Sequence, residues 1–289
     1  MDSASLDPAA IVADIESRSE RLTTPAPGGH MVWHRWAGPA GAPTLALFHG
    51  GYGSWTHWIR NVDTLSARYT VLAADLPGLG DSDAVPEPYD GWSIARIVAD
   101  GLAGLVPADE PVRIAGFSFG GVIGTPAAAL LGDRVRTLVL VGSGGMALRR
   151  HPLELKAWRH LPDRAAQAAI HRENLGILMI ADPANIDPLA VHLQEGNARR
   201  GRTKSPPISR TPIVMEALPR VKGRVGVIFG ERDATCEGFL DLREQALRAI
   251  RPDLDFRVVP GGGHWVAYET AEAFNGELLA MLDRLDSRP

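Results

Sequence analysis

Three side chains in separate parts of the chain could together cleave a bond through a covalent intermediate. Ser118 is the centre of a Gly-x-Ser-x-Gly box, Asp233 follows an apolar run, and His264 follows three consecutive glycines. A serine hydroxyl is a weak nucleophile that needs a neighbouring base, and the base needs an orienting carboxylate. The residue types predict Ser118 as nucleophile, His264 as base and Asp233 as acid, with Glu231 as the rival acid.

Negative charge that develops during such a reaction needs backbone N–H donors. Phe119 directly follows the serine and would supply one N–H group. The glycine-rich loop at residues 49–53 would supply the other, and Gly51 is the predicted donor. Glycines in this loop let the backbone approach a ligand closely.

The elements that must position these residues alternate between strand and helix. Short apolar runs predict buried strands, and helical spacing fills most intervals between them. The predicted strands are residues 44–48, 69–74, 112–115, 137–141, 225–229 and 256–259, and the predicted helices are 7–20, 92–106, 120–131, 237–250 and 269–285. Continuous apolar strands between helices indicate an α/β fold with a parallel sheet covered on both faces.

The alternation stops between residues 146 and 222, where helical pieces and prolines replace strands. A stretch this long is not a plain loop. It predicts a helical cap, inserted into a core made of residues 1–145 and 223–289. The cap carries 13 Lys or Arg against 7 Asp or Glu, a net charge of +6. An anionic substrate and a solvated basic surface are both compatible with that excess.

The bulk composition narrows the class of protein further. The chain has 289 residues, a net charge of −4 and one cysteine, Cys236. Its charge argues against a nucleic-acid partner, and no apolar run is long enough to span a membrane. We expect a cytoplasmic protein that acts on a small molecule without a metal or other cofactor. A homo-oligomer is compatible with the sequence.

The motifs together resemble the α/β-hydrolase superfamily over nearly the whole chain. They are the stretches at residues 49–51, 75–82, 116–121, 230–233 and 263–265. The chain order Ser…Asp…His is also that of these enzymes. The resemblance implies a mostly parallel eight-stranded sheet, with the cap inserted after the sixth strand.

The C-terminal stretch at residues 263–275 resembles the meta-cleavage-product hydrolases, which split a carbon–carbon bond next to a ketone. By that resemblance Arg199 or Arg200 would bind a substrate carboxylate. The chain departs at Phe117, because the family carries Asn immediately before the nucleophile.

The sequence predicts a serine hydrolase that forms an acyl-enzyme on a small or medium carboxylic ester with an apolar portion. Carbon–carbon hydrolysis of a vinylogous diketone is the first alternative, and a non-catalytic ligand-binding member of the fold is the second. The predicted substrate-binding residues are Gly50, Phe117, Trp158, Arg199, Arg200 and Trp265.

Overall fold

A computed structural model describes residues 7–287 of the chain. Within these residues, eight strands form one sheet. The strands are β1 (Glu20–Ala26), β2 (Gly29–Trp36), β3 (Thr44–Phe48), β4 (Thr70–Asp75), β5 (Val112–Phe117), β6 (Val135–Val141), β7 (Arg224–Gly230) and β8 (Asp255–Val259).

The strand order in the sheet is β1-β2-β4-β3-β5-β6-β7-β8. The two pairs that involve β2 are antiparallel, and every pair from β4 to β8 is parallel. The expected mostly parallel eight-stranded sheet is therefore confirmed. The carboxyl ends of β3, β5, β7 and β8 lie at one edge, which is where such sheets carry their sites.

Helices cover both faces of the sheet. They are α1 (Pro8–Ser17), α2 (Val62–Ser66), α3 (Gly91–Leu105), α4 (Phe119–Leu131), α5 (Arg164–Asn174), α6 (Pro188–Arg200), α7 (Ser205–Ser209), α8 (Ile213–Ala217), α9 (Leu240–Ile250), α10 (Val266–Glu269) and α11 (Ala271–Asp286). Apolar residues of α3, α4, α8 and α9 pack on one face, and those of α2, α10 and α11 pack on the other.

Of the two strands absent from the six predicted ones, β2 and β1, strand β1 is the more exposed. It lies at the edge of the sheet and reads Glu-Arg-Leu-Thr-Thr-Pro-Ala, with only Thr24 buried. Edge strands tolerate proline and exposed polar residues because one side makes no ladder. Their pattern therefore lacks the apolar run that marks a buried strand. The predicted helix over 7–20 ends at Ser17 instead.

The segment between β6 and β7 contains four of these helices, α5 to α8. Helices α5 and α6 begin after Asp163 and Asp187, whose side chains accept hydrogen bonds from the first turn. Such caps satisfy N–H groups that the helix leaves without partners. Among residues 7–287, no helix is long and apolar enough to cross a membrane.

Candidate active site

Ser118 lies in a sharp turn between β5 and α4. Its backbone has φ 51° and ψ −111°, a region that non-glycine residues rarely adopt. The turn is closed by two glycines. A Cβ on Gly116 would lie 2.5 Å from the carbonyl oxygen of Gly120, and one on Gly120 would lie 2.1 Å from that of Phe48. Only glycine fits at either position, so the serine is held above the end of the sheet.

His264 reaches Ser118 from the loop that follows β8. Its Nε2 atom is 2.9 Å from Ser118 Oγ, and its Nδ1 atom is 2.8 Å from Asp233 Oδ2. An ionised carboxylate only accepts hydrogen bonds, so Nδ1–H donates to Asp233 and Nε2 is left to accept from the serine. This arrangement places a proton acceptor directly on the hydroxyl group.

Asp233 is fully buried just after β7. Burial alone would raise its pKa, but the charge and hydrogen bond of His264 and two hydrogen bonds from Thr235 hold the pKa below its usual value. The backbone N–H and the hydroxyl of Thr235 donate to Asp233 Oδ1 at 2.9 and 2.7 Å. The carboxylate is therefore charged and fixed in orientation. Thr235 was not among the predicted residues, although an Asp-x-Thr sequence is typical of such a turn.

The rival acid, Glu231, lies away from the histidine ring. Its side chain is exposed and accepts from the backbone N–H of Gly261 at 2.9 Å. Glu231 thus supports the loop between β8 and His264, whereas Asp233 contacts the ring itself.

The glycine-rich loop after β3 is held by two neutral histidines. His49 Nδ1 donates to the Gly50 carbonyl oxygen at 2.7 Å, and its Nε2 accepts from the N–H of Leu76 at 2.9 Å. His57 Nδ1 accepts from the N–H of Gly50 at 3.1 Å. Burial lowers the pKa of His49 to about 4 and that of His57 well below its usual value. Both rings are therefore uncharged near neutral pH and can accept these hydrogen bonds.

Gly51 and Phe119 both line the cavity above Ser118. Phe119 is the first residue of α4, where an N–H group has no acceptor within the helix. Within residues 7–287, the N–H of Gly51 likewise donates to no other group. A Cβ on Gly51 would lie 2.3 Å from Ser205 Oγ, so a larger residue here would require the Ser205 side chain to move. Two residues with free N–H donors thus line the same cavity as Ser118.

The cavity itself encloses about 180 Å³. Residues from two regions line it: the loops at the carboxyl ends of the strands, and the segment between β6 and β7. The lining residues are Gly50, Gly51, Tyr52, His57, Phe117, Ser118, Phe119, Gly142, Gly144, Arg150, Leu155, Leu178, Met179, Ser205, Pro206, Ser209, Arg210, Thr235 and His264. Of the predicted substrate-binding residues, the structure brings Gly50 and Phe117 to this cavity.

The other four predicted substrate-binding residues do not line the cavity. Trp265 is fully buried behind His264, where its indole N–H donates to the His57 carbonyl oxygen at 2.8 Å. Trp158 packs on the ring of His171, with 4.7 Å between ring centroids.

The two predicted cap arginines are paired with carboxylates instead. Arg199 lies 2.9 Å from Glu195, one turn earlier on α6, and Arg200 lies 2.9 Å from Asp81. The cations that line the cavity are Arg150 and Arg210, which sequence reasoning missed because no motif surrounds either residue.

Glu269 joins the histidine loop to the segment between β6 and β7. One of its carboxylate oxygens accepts from the N–H groups of Gly263 and Ala181, at 2.8 and 2.9 Å. The other accepts from the N–H of Asp182 at 2.8 Å. Hydrogen bonds to a charged group are stronger than neutral ones, so this buried carboxylate fixes the residue immediately before His264.

Comparison with known proteins shows which family and which sequences the chain resembles. Residues 45–277 match the family described as the alpha/beta hydrolase family. A dihydrolipoyllysine-residue acetyltransferase component of an acetoin cleaving system from Pseudomonas putida is 29% identical over 92% of this chain and 72% of its own. A 2-hydroxy-6-oxononadienedioate/2-hydroxy-6-oxononatrienedioate hydrolase from Paraburkholderia phymatum is 29% identical over 84% of this chain and 88% of its own.

A solved structure supports the same fold. The crystal structure of a bacterial membrane phospholipase A superposes with a TM-score of 0.76, covering 97% of this chain and 92% of its own, at 23% identity. At that identity the likeness concerns the fold alone. The geometry of Ser118, His264 and Asp233 must therefore carry the chemical argument.

Proposed function

The chain belongs to the α/β hydrolase family, and on that premise we propose that it is a serine hydrolase of small carboxylic esters. The observation that carries the proposal is the hydrogen-bonded row Ser118–His264–Asp233, with contacts of 2.9 and 2.8 Å. Such a row supplies a nucleophile, a base and an orienting carboxylate. Hydrolysis is the activity of the family, and the ester is the finer inference.

In the proposed reaction, Ser118 Oγ attacks the ester carbonyl carbon while His264 Nε2 takes its proton. The N–H groups of Gly51 and Phe119 hold the oxyanion of the tetrahedral intermediate. His264 then gives the proton to the leaving alcohol, and the acyl-enzyme forms. Water repeats the sequence: it loses a proton to His264 and attacks the acyl carbon, and His264 returns that proton to Ser118 Oγ as the acid leaves. Asp233 stays charged throughout and stabilises the imidazolium.

The size and lining of the cavity favour short, partly apolar substrates. About 180 Å³ is small beside the roughly 300–1,000 Å³ of sites for drug-sized ligands. Phe117, Leu155, Leu178 and Met179 supply apolar walls. Since eight residues of the cavity lining come from 146–222, we also propose that residues 146–222 form a cap over a core of 1–145 and 223–289.

The charge of the chain supports a small molecule, rather than nucleic acid, as its partner. The cytoplasm is the proposed location, and the proposed chemistry needs no metal or cofactor.

Labelling and turnover together test the proposal. A fluorophosphonate probe should label Ser118, as located by peptide mass spectrometry, and Ser118→Ala should abolish the label. In a series of p-nitrophenyl esters, kcat/KM should fall as the acyl chain outgrows the cavity. Absence of labelling in the native protein would contradict the proposal and favour the ligand-binding alternative.

Carbon–carbon hydrolysis is the second candidate, because a relative of 29% identity is named as a dienedioate hydrolase. That chemistry requires a dienol to become a ketone before the serine attacks. Phe117 cannot donate a hydrogen bond to the dienol, and its ring packs on His57 and His264 with centroids 5.5 and 5.2 Å apart. The missing donor is the reason for preferring esters.

A substitution at Phe117 separates the two chemistries. We expect simple esters to turn over faster than a 2-hydroxy-6-oxo-dienoate in the native protein. Phe117→Asn should raise the dienoate-to-ester ratio of kcat/KM by roughly tenfold or more, as a hydrogen bond of about 1–3 kcal/mol would. Phe117→Leu, which adds no donor, should leave that ratio unchanged. A native preference for the dienoate would make carbon–carbon hydrolysis the function.

A further inference from the structure

Three arginines from distant parts of the chain converge beside the catalytic cavity. Arg150 lies in the loop after β6, Arg210 directly follows α7, and Arg243 lies on α9. All three line a second cavity of about 220 Å³. Its wall is continuous with that of the catalytic cavity, because Arg150, Arg210 and Thr235 line both. A group bound between the arginines would therefore lie next to a substrate on Ser118.

None of the three guanidinium groups has a carboxylate within ion-pair distance among residues 7–287. Arg243 is 6% exposed and donates only to the backbone carbonyl oxygens of Phe239 and Arg149, at 3.3 and 3.0 Å. A buried charge without an opposite charge is costly. The two oxygens of nearby Asp233 are already taken by His264 and Thr235. Arg150 and Arg210 are exposed to solvent, so the cluster presents to the cavity positive charge that no ion pair of the described residues neutralises.

The three charges also act on one another. Burial lowers the pKa of Arg150 and the charges of Arg210 and Arg243 lower it further, while the charge of Asp233 partly offsets them. Some arginines elsewhere in the chain are paired with carboxylates, such as Arg113 with Asp286 and Arg68 with Asp283. An anion in the second cavity would replace this mutual repulsion with attraction, and guanidinium groups bind carboxylates in a defined geometry.

We propose that the second cavity binds a carboxylate of the substrate, so that the preferred substrate is an ester carrying a second, negatively charged carboxylate. The inference rests on the proposed ester hydrolysis and names its substrate class. Arg150 and Arg210, at the junction of the two cavities, bind the carboxylate, and Arg243 adds charge from behind.

Matched esters test this assignment on the full chain. One pair, monoethyl adipate and ethyl hexanoate, differs by a carboxylate on the acyl chain. A second pair, 6-(butanoyloxy)hexanoate and hexyl butanoate, differs by a carboxylate on the alcohol. The readout is the charged-to-neutral ratio of kcat/KM, which cancels any general loss of activity that a substitution causes.

In at least one pair, Arg150→Gln and Arg210→Gln should each lower the ratio by about tenfold or more, because hydrogen bonds to charged groups are the strong ones. Arg199→Gln is the matched control: it removes the same charge from a residue that lines neither cavity, and the ratio should not change. The native ratio should also fall as salt is added. Ratios that both substitutions leave unchanged in both pairs would overturn the assignment.

A binding measurement separates this proposal from the proposed function. If native protein hydrolyses neither member of a pair, ester hydrolysis is wrong. Calorimetric titration with adipate and hexanoate then decides the subsite on its own. Tighter binding of adipate that Arg150→Gln abolishes supports the carboxylate site, and equal binding of both acids refutes it.

Discussion

The two sides of the catalytic cavity are built in different ways. Its floor consists of the serine turn at 116–120, the loop at 49–53, Asp233 and His264, and its roof comes from residues 146–222. In the floor, each polar side chain has fixed partners: His49, His57, Asp233 and His264 all lie in hydrogen bonds of 2.7–3.1 Å. In the roof, Arg150 and Arg210 line the cavity and form no ion pair with a carboxylate among residues 7–287.

Under the proposed function, this difference assigns the reaction to the floor and substrate recognition to the roof. A preorganised floor loses little free energy to rearrangement when charge develops in the transition state, so it can serve any acyl substrate that reaches it. The exposed guanidinium groups of the roof are hydrated in the absence of a ligand and remain available to bind an anion. Under the proposed function, the floor would determine which reaction is possible and the roof would determine which substrate is bound.

The largest expected effects come from breaking the floor. Ser118→Ala and His264→Ala should each lower kcat by about 10³-fold or more, and the double variant should lose little beyond either single one, because the two groups act as a unit. The measurement is steady-state hydrolysis of a short p-nitrophenyl ester.

Asp233→Asn and Glu231→Gln form a matched pair within this test. Asp233→Asn should be severe, since an amide cannot stabilise the imidazolium. Glu231→Gln removes the same charge two residues away, from an exposed side chain, and should cost little activity. A larger loss from Glu231→Gln than from Asp233→Asn would mean that the acid is misassigned.

The floor was predictable from sequence because its constraints are local. Gly116 and Gly120 must be glycine to avoid backbone atoms 2.1–2.5 Å away, so the turn leaves a recognisable box around Ser118. His264 and Asp233 follow the ends of apolar strands, and the parallel sheet brings those ends to one edge. The positions of these residues relative to the predicted strands were therefore enough to predict that they lie together.

The roof was not predictable in the same way. Whether an arginine faces the cavity depends on how short helices pack, and no repeating pattern records that packing. Arg199 and Arg200 satisfy the sequence criterion of a basic cap, yet both are paired with carboxylates on the outside. Arg210 directly follows α7, whose two serines, Ser205 and Ser209, also line the cavity. Edge strand β1 was missed for a related reason, since its exposed residues carry no apolar pattern.

The pH dependence of the free energy of unfolding should show how much a neutral His49 in the floor contributes to stability. His49 has a folded-state pKa of about 4 against 6.5 when unfolded, so between these values the unfolded chain binds one more proton. Its contribution to stability is full above pH 6.5 and is lost as the pH falls toward 4, about 2 kcal/mol of it by pH 5. Asp75, whose pKa burial raises to about 6, acts in the opposite direction.

The variant His49→Asn isolates this contribution. Asparagine can still donate to the Gly50 carbonyl oxygen but does not titrate. Urea unfolding at pH 7 and pH 5 should show a fall in the free energy of unfolding that is smaller in the variant by about 2 kcal/mol. Buried His34 and Asp75 contribute equally to both proteins and cancel. An identical fall in both proteins would show that His49 is not held neutral by the fold.

The smallest effect should come from the outer side of the roof. Arg199 pairs with Glu195 one helical turn away, and about a third of its side chain is exposed, so the pair is screened by solvent. Arg199→Gln should change the free energy of unfolding by less than about 1 kcal/mol, measured by urea denaturation. It should also change kcat/KM for a neutral ester by less than threefold, roughly 0.7 kcal/mol. A large loss of kcat/KM with unchanged stability would place Arg199 at the substrate after all, and the division between a catalytic floor and an outward-facing basic helix would have to be redrawn.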